Sequence, residues 1–206
     1  MEDTDRAVVI GIVGTHSTGK TQFLSRLAHE LRLHDINVAT VADLGEQAQR
    51  SGLPILHNHT AASTLWFITT GISNETEAAH HAEVVLVDRA APDALGYYLA
   101  ALHHREEHPD PDTLAWLGDF VRHHSHHHYD LLYRTTLDTT LPLGTNKPRD
   151  GDRRFRELAD HHVATVLEDL ALSHTVIAAD SHDRTLREAQ QFVFAKLSAP
   201  DPPSLP

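Results

Sequence analysis

Gly14, Thr15, His16, Ser17, Thr18, Gly19, Lys20 and Thr21 satisfy the pattern GxxxxGK(S/T). Glycines at the fixed positions let the backbone curl so that successive N–H groups point inward, a cradle suited to polyphosphate. A lysine at the exit reaches the β and γ phosphates as a point charge, and the following hydroxyl takes one position around Mg²⁺. The cofactors this chemistry requires are a nucleoside triphosphate and magnesium. Within the loop, His16 occupies a variable position, where its ring either contacts a ligand or points outward.

Further candidates lie where apolar runs end. Asp88 closes residues 83–88, a buried-strand pattern, and is placed with Thr21 as a holder of magnesium. Arg89 follows, aimed at acceptor or phosphate, or else forming a surface ion pair with its neighbour. Asp43 closes another apolar stretch and Glu46 follows within a turn. Either one is placed to orient an acceptor hydroxyl and take its proton, and either could instead cap a helix. Arg149, Arg153 and Arg154, with Arg156, cluster beside a Pro- and Gly-bearing loop over 137–152, the makings of a lid that neutralises charge on a transferred group. A solvated helix start with local salt bridges is the alternative reading.

Positioning these groups falls to alternating elements. Residues 8–13 read as a central parallel strand, followed by a helical stripe through Phe23, Leu24, Leu27 and Leu31. Strand patterns recur at 37–42, 83–88, 129–135 and 174–179, and helical ones at 60–81, 92–103, 112–123, 155–170 and 184–197. The expectation is an α/β fold of three layers, a P-loop NTPase with a five-stranded parallel sheet and an Arg-bearing lid, its ligand at the carboxyl ends of the strands. Residues 1–198 form one domain, and the Pro-rich segment 199–206 reads as a disordered tail.

The chain has 206 residues, with 17 Lys and Arg against 29 Asp and Glu, a net charge of −12 that disfavours broad nucleic-acid or anionic-membrane binding. Without cysteine it has no disulfide and no thiolate metal ligand, and it carries no apolar stretch long enough for a membrane span. A cytoplasmic location is expected. Among 19 histidines the densest run is His123, His124, His126, His127 and His128. A pair such as His123 and His127 shares a helical face and could bind metal, although a polar helix end is the favoured reading. The sequence Asn146-Lys147-Pro148-Arg149-Asp150 puts its aspartate one residue late for guanine recognition, and no DxxG follows Asp88, so ATP is expected over GTP.

With these residues in place, the chain resembles the P-loop nucleoside and nucleotide kinase-like group, particularly AAA-type ATP-binding domains related to ribosylnicotinamide kinase. The resemblance rests on the loop at 14–21, Glu46 with Arg50, Glu75, Asp88 and Arg89 followed by Asp93 and Tyr97, the Tyr129-Asp130-Leu131-Leu132 segment, and the stretch from Arg149 to Arg156. It implies phosphorylation by Mg-ATP of a small acceptor, commonly a nucleoside or nucleotide, and since dimers are common in that group it leaves a homodimer open as well as a monomer. Trp66, Phe67 and Tyr97 are either acceptor-stacking or core aromatics. Two other functions fit the same residues: a nucleotide-dependent ATPase or switch acting through a protein partner, and a kinase for a non-nucleoside biosynthetic alcohol.

Overall fold

The apolar run that precedes the phosphate loop forms β1 (Val8–Val13), buried along its entire length. A strand with no exposed face needs neighbours on both edges and helices on both faces, and β1 has all of these. In the computed structural model, which describes residues 6–137, 152–178 and 181–198, β1 pairs in parallel with β3 (Val84–Asp88) on one side and β4 (Leu131–Thr135) on the other. Strand β2 (Val38–Val41) extends the sheet beyond β3, and β5 (Thr175–Ile177) beyond β4, giving the order β2-β3-β1-β4-β5. Both the strand count and the parallel orientation match the sequence reading.

Helices cover the two faces. Helix α1 (Lys20–Arg32) and helix α7 (His182–Leu197) close one, packing Phe23, Leu24, Leu27, Leu31, Leu186 and Val193 against Ile10, Ile12 and Leu86. The opposite face, which carries Val9, Val13, Val85 and Val87, is covered by α4 (Ala91–His104) and α6 (Arg153–Asp169) through Tyr97, Ala101, Phe155, Val163 and Leu167. Successive β1 side chains therefore feed two separate cores, as the two-residue period of a strand demands. Helices α4 and α6 approach closely because of Gly96, where an added Cβ would stand 2.6 Å from Val163 Cγ2 and 2.8 Å from Val163 Cα. Helices α3 (Ala61–Ala79) and α5 (Pro111–His128) pack beside α4 around Ile68, Leu95, Tyr98, Leu117 and Val121.

Two elements depart from the sequence expectations. A short helix α2 (Gly45–Arg50) follows β2, where the pattern showed only a polar stretch. Helix α5 continues to His128, so the whole histidine run lies in one helical frame. The Thr-rich α3 forms despite its composition because a capping box between Thr60 and Ser63 starts it, and the Thr69 and Thr76 hydroxyls donate to carbonyls one turn back. Among the described residues no helix is long and apolar enough to cross a membrane. The 199–206 tail and Arg149 lie outside the described residues.

Candidate functional site

The loop joining β1 to α1 closes around Lys20. Gly14 has φ 136° and Gly19 φ 85°, and a Cβ on Gly14 would meet Thr135 Oγ1 at 2.4 Å, so a side chain there has neither conformation nor space. The Gly14 amide donates to Asp93 Oδ1 at 2.8 Å, the His16 amide donates to the Tyr97 hydroxyl at 3.0 Å, and the Thr18 hydroxyl donates to the Thr15 carbonyl at 2.8 Å. Helix α4 thereby braces the outer side of the loop. The Lys20 ammonium folds back onto its own loop, donating to the carbonyls of Gly14 at 2.7 Å and Thr15 at 2.6 Å. Burial, then the neighbouring Arg89, push its pKa down to about 8, against the pull of Asp93, Asp88 and Asp43.

Arg89 organises the next ring of groups. Its Nε donates to Asp43 Oδ2 at 3.0 Å, its Nη1 to Asp93 Oδ2 at 2.5 Å, and its guanidinium lies 5.0 Å from the Tyr97 ring centroid. Burial works against the charge on Arg89, but these acidic neighbours hold its pKa well above the ordinary arginine value. Asp93 is 2% exposed, and its burial raises its pKa in opposition to Arg89, Lys20 and the Gly14 amide. Asp43 also accepts from the Gly45 amide at 2.8 Å, which aims its carboxylate back from the end of β2 toward the loop.

The chemistry of the donor set at Thr21 and Asp88 suits a divalent cation. The Thr21 hydroxyl donates to Asp88 Oδ2 at 2.5 Å, while Asp88 Oδ1 is buried and has no hydrogen-bond partner among the described residues. A buried carboxylate oxygen without a donor is costly unless something cationic meets it. Thr21 and Asp88 are the residues that would hold Mg²⁺.

Two hollows meet at this ring. One is lined by the loop from His16 to Gln22 with Asp43, Asp88 and Arg89. The other runs between the ends of β2 and β3 and helices α3 and α4, past Leu56, His59, Phe67, Glu75 and Tyr97. His16, Asp43, Asp88 and Arg89 line both. Phe67 stacks on His59 with ring centroids 5.2 Å apart, and Tyr97 lines the wall, whereas Trp66 does not line this hollow but meets the Phe67 ring edge-on.

His59 is 3% exposed, and among the described residues neither of its ring nitrogens has a hydrogen-bond partner. Burial, reinforced by Arg89 and Arg105, pushes its pKa down to about 3 from 6.5. Between those values the unfolded chain binds a proton that the folded protein refuses, so stability falls as pH drops through the window. His59→Leu is therefore expected to flatten the acid limb of stability by up to about 1.4 kcal/mol per pH unit. Denaturant melts across the window check this, and equal slopes in wild type and variant would contradict it.

The remaining sequence candidates are dispersed. Glu46 is exposed in the first turn of α2 and lines a shallow groove with Arg50 rather than the two hollows. Arg153 and Arg154 are exposed at the start of α6, Arg153 paired with Glu157 at 2.8 Å. Among the described members of that cluster it is Arg156 that turns inward, with Nε and Nη2 buried and without hydrogen-bond partners among the described residues. Sequence reasoning named Asp93 and Glu75 only as carriers of the family resemblance, with no stated role at the site, and did not single out His59. An aspartate one turn beyond the Asp88-Arg89 pair was the available signal for Asp93, while His59 had none.

Residues 9–184 match the family model described as an AAA domain. The chain belongs to the AAA-domain family. Its fold is that of the P-loop nucleoside and nucleotide kinases. NadR protein in complex with NR superposes with a TM-score of 0.63 at 14% identity over 91% of this chain, which spans about half (50%) of the NadR chain. Thymidylate kinase from Candida albicans gives 0.63 at 14% identity, covering 93% of both chains. Deoxyadenosine kinase from M. mycoides with bound dATP gives 0.60 at 14% identity, covering 93% of this chain and 100% of that one. Comparison with curated proteins gives no match.

Proposed function

We propose that this protein is a small-molecule kinase that transfers the γ-phosphoryl group of Mg-ATP to a hydroxyl or phosphate of a nucleoside-like acceptor. The observation that carries this reading is the shared wall, in which Asp43, Asp88 and Arg89 face both the phosphate loop and the deeper, aromatic-lined hollow. A switch needs only the first hollow, whereas a transferase needs a second compartment opening onto the same reacting centre.

In this assignment the loop amides and Lys20 hold the donor phosphates, and the acceptor occupies the hollow beside Phe67, His59 and Tyr97. Thr21 and Asp88 would hold magnesium, which when bound would supply charge neutralisation for the triphosphate. An acceptor oxygen forms the new P–O bond while the bond to the bridging oxygen of ADP breaks, and Asp43 takes the acceptor's proton late in the displacement. Arg89 fixes Asp43 and Asp93 relative to the loop, so the carboxylate is positioned before the acceptor arrives. Arg149, Arg153 and Arg154 remain the candidates for a cationic lid, and residues 1–198 for the working domain.

The test is ADP release from ATP with and without a panel of nucleosides, nucleotides and other small alcohols. Strong stimulation by a nucleoside-like compound, with its phosphorylated product identified by mass, is the expected result. Unstimulated hydrolysis across the entire panel would overturn the reading in favour of a switch acting through a protein partner. Stimulation only by a non-nucleoside alcohol would redirect it to that substrate class.

A further inference from the structure

In the wall of the aromatic-lined hollow, Glu75 of α3 meets two side chains of the histidine run. His124 Nε2 lies 2.9 Å and His128 Nε2 3.2 Å from Glu75 Oε2, and one ligand atom from each of the three residues falls within 4.8 Å of the others. Among the described residues no other trio of His, Cys, Asp or Glu converges in this way. His124 and His128 are one helical turn apart on α5, so both rings leave the same face. Their ring centroids are 4.5 Å apart.

We propose that Glu75, His124 and His128 form a site for a divalent transition-metal ion of the zinc type, separate from the magnesium position at the phosphate loop. Two imidazole nitrogens and one carboxylate oxygen are a zinc-type donor set. With metal–ligand bonds of about 2.0–2.1 Å, a tetrahedral ion holds its ligands about 3.3 Å apart. The 2.9 Å and 3.2 Å separations from Glu75 Oε2 are therefore short of that edge by only a few tenths of an ångström.

Three features of the surroundings favour an ion over a simple hydrogen-bonded cluster. Glu75 is 1% exposed, so a carboxylate stands inside the protein, and among the described residues its ion-pair partners are the two histidines rather than a lysine or arginine. The buried His128 Nε2 lacks hydrogen-bond geometry to any acceptor among the described residues despite its approach to Oε2. The second oxygen of Glu75 is already held, since the Tyr129 hydroxyl donates to Oε1 at 3.1 Å while accepting from the Ala91 amide at 3.0 Å. Such an outer hydrogen bond orients a metal-binding carboxylate. Magnesium, which favours an octahedral shell of oxygens, is poorly matched to two imidazoles, so the two sites select different ions. An ion here would tie α3 to α5 where Glu75 forms part of the hollow's wall.

The same helix provides a control. His123 and His127 have the same spacing, with ring centroids 4.4 Å apart, but are exposed and do not join the Glu75 cluster. The experiment uses the full-length untagged chain, stripped with chelator and titrated with Zn²⁺ by calorimetry in the absence of nucleotide, with Co²⁺ absorption as a second readout. One Zn²⁺ per chain is expected. His124→Gln, His128→Gln and Glu75→Gln should each weaken its binding by at least about 10-fold and remove the Co²⁺ bands. The double variant His123→Gln/His127→Gln should retain both. Absence of stoichiometric binding to the wild-type chain, or binding lost in the exposed-pair variant and kept in the other three, would overturn the site and leave both histidines as hydrogen-bonding neighbours of Glu75. Because no ATP or acceptor is present, the outcome is independent of the kinase reading.

Discussion

Asp43→Asn is expected to lower acceptor-stimulated turnover by about 100- to 10,000-fold, the range associated with losing a positioned general base. The substitution preserves shape. An asparagine oxygen can still accept from Arg89 Nε or from the Gly45 amide, donors that now meet the carboxylate at 3.0 Å and 2.8 Å. What it cannot do is take a proton from the acceptor. The loss should therefore appear in kcat, with much smaller changes in ATP affinity and in melting temperature. Glu46→Gln, at an exposed position on α2, is the comparison. Turnover that survives Asp43→Asn but collapses in Glu46→Gln would move the base to α2, and survival in both would remove a carboxylate base from the mechanism.

Lys20→Ala should reduce turnover by about 100- to 1,000-fold, comparable to deleting one preorganised electrostatic donor at a transition state. The same change should not unfold the protein. Burial and the neighbouring Arg89, against the pull of Asp93, Asp88 and Asp43, bring the ammonium from 10.5 to about 8, a net cost of roughly 3 kcal/mol at neutral pH. Removing it is expected to leave the melting temperature unchanged or higher, so inactivity without destabilisation distinguishes a lost donor contact from a lost fold.

The lowered value also sets a pH dependence. A triphosphate beside Lys20 favours its protonated form, so above pH of about 8 the ligand-free protein must take up a proton in order to bind ATP. Affinity should be flat below that point and fall by up to about ten-fold per pH unit above it. Titration with a fluorescent ATP analogue measures this. An affinity that stays level to high pH in wild type, or falls equally in Lys20→Ala, would show that Lys20 does not contact the phosphates.

Much of the frame was legible from local pattern. The run at 8–13 must be buried on both faces because it has no polar alternation, and a glycine-rich turn leading into an amphipathic helix leaves few conformations for the loop. Asp88 at the end of β3 followed from the same logic. The short α2 was not legible, since six residues carry too little periodicity to separate a helix from a polar turn. The histidine run gave no helical boundary because histidine has only modest helix propensity and the segment lacks an apolar stripe. Its fit into α5 depends on packing by Leu117 and Val121 upstream.

Sequence alone determined the phosphate loop, the alternation of strands and helices, and the carboxylate at the end of β3, because each depends on residues adjacent in the chain. Tertiary structure alone decided which distant side chains meet. Asp93 braces Gly14 across 79 residues, and Glu75 meets His124 across 49. Periodicity states which face of an element is buried but not what lies opposite it, and those pairings arise only when the order β2-β3-β1-β4-β5 places the helices side by side.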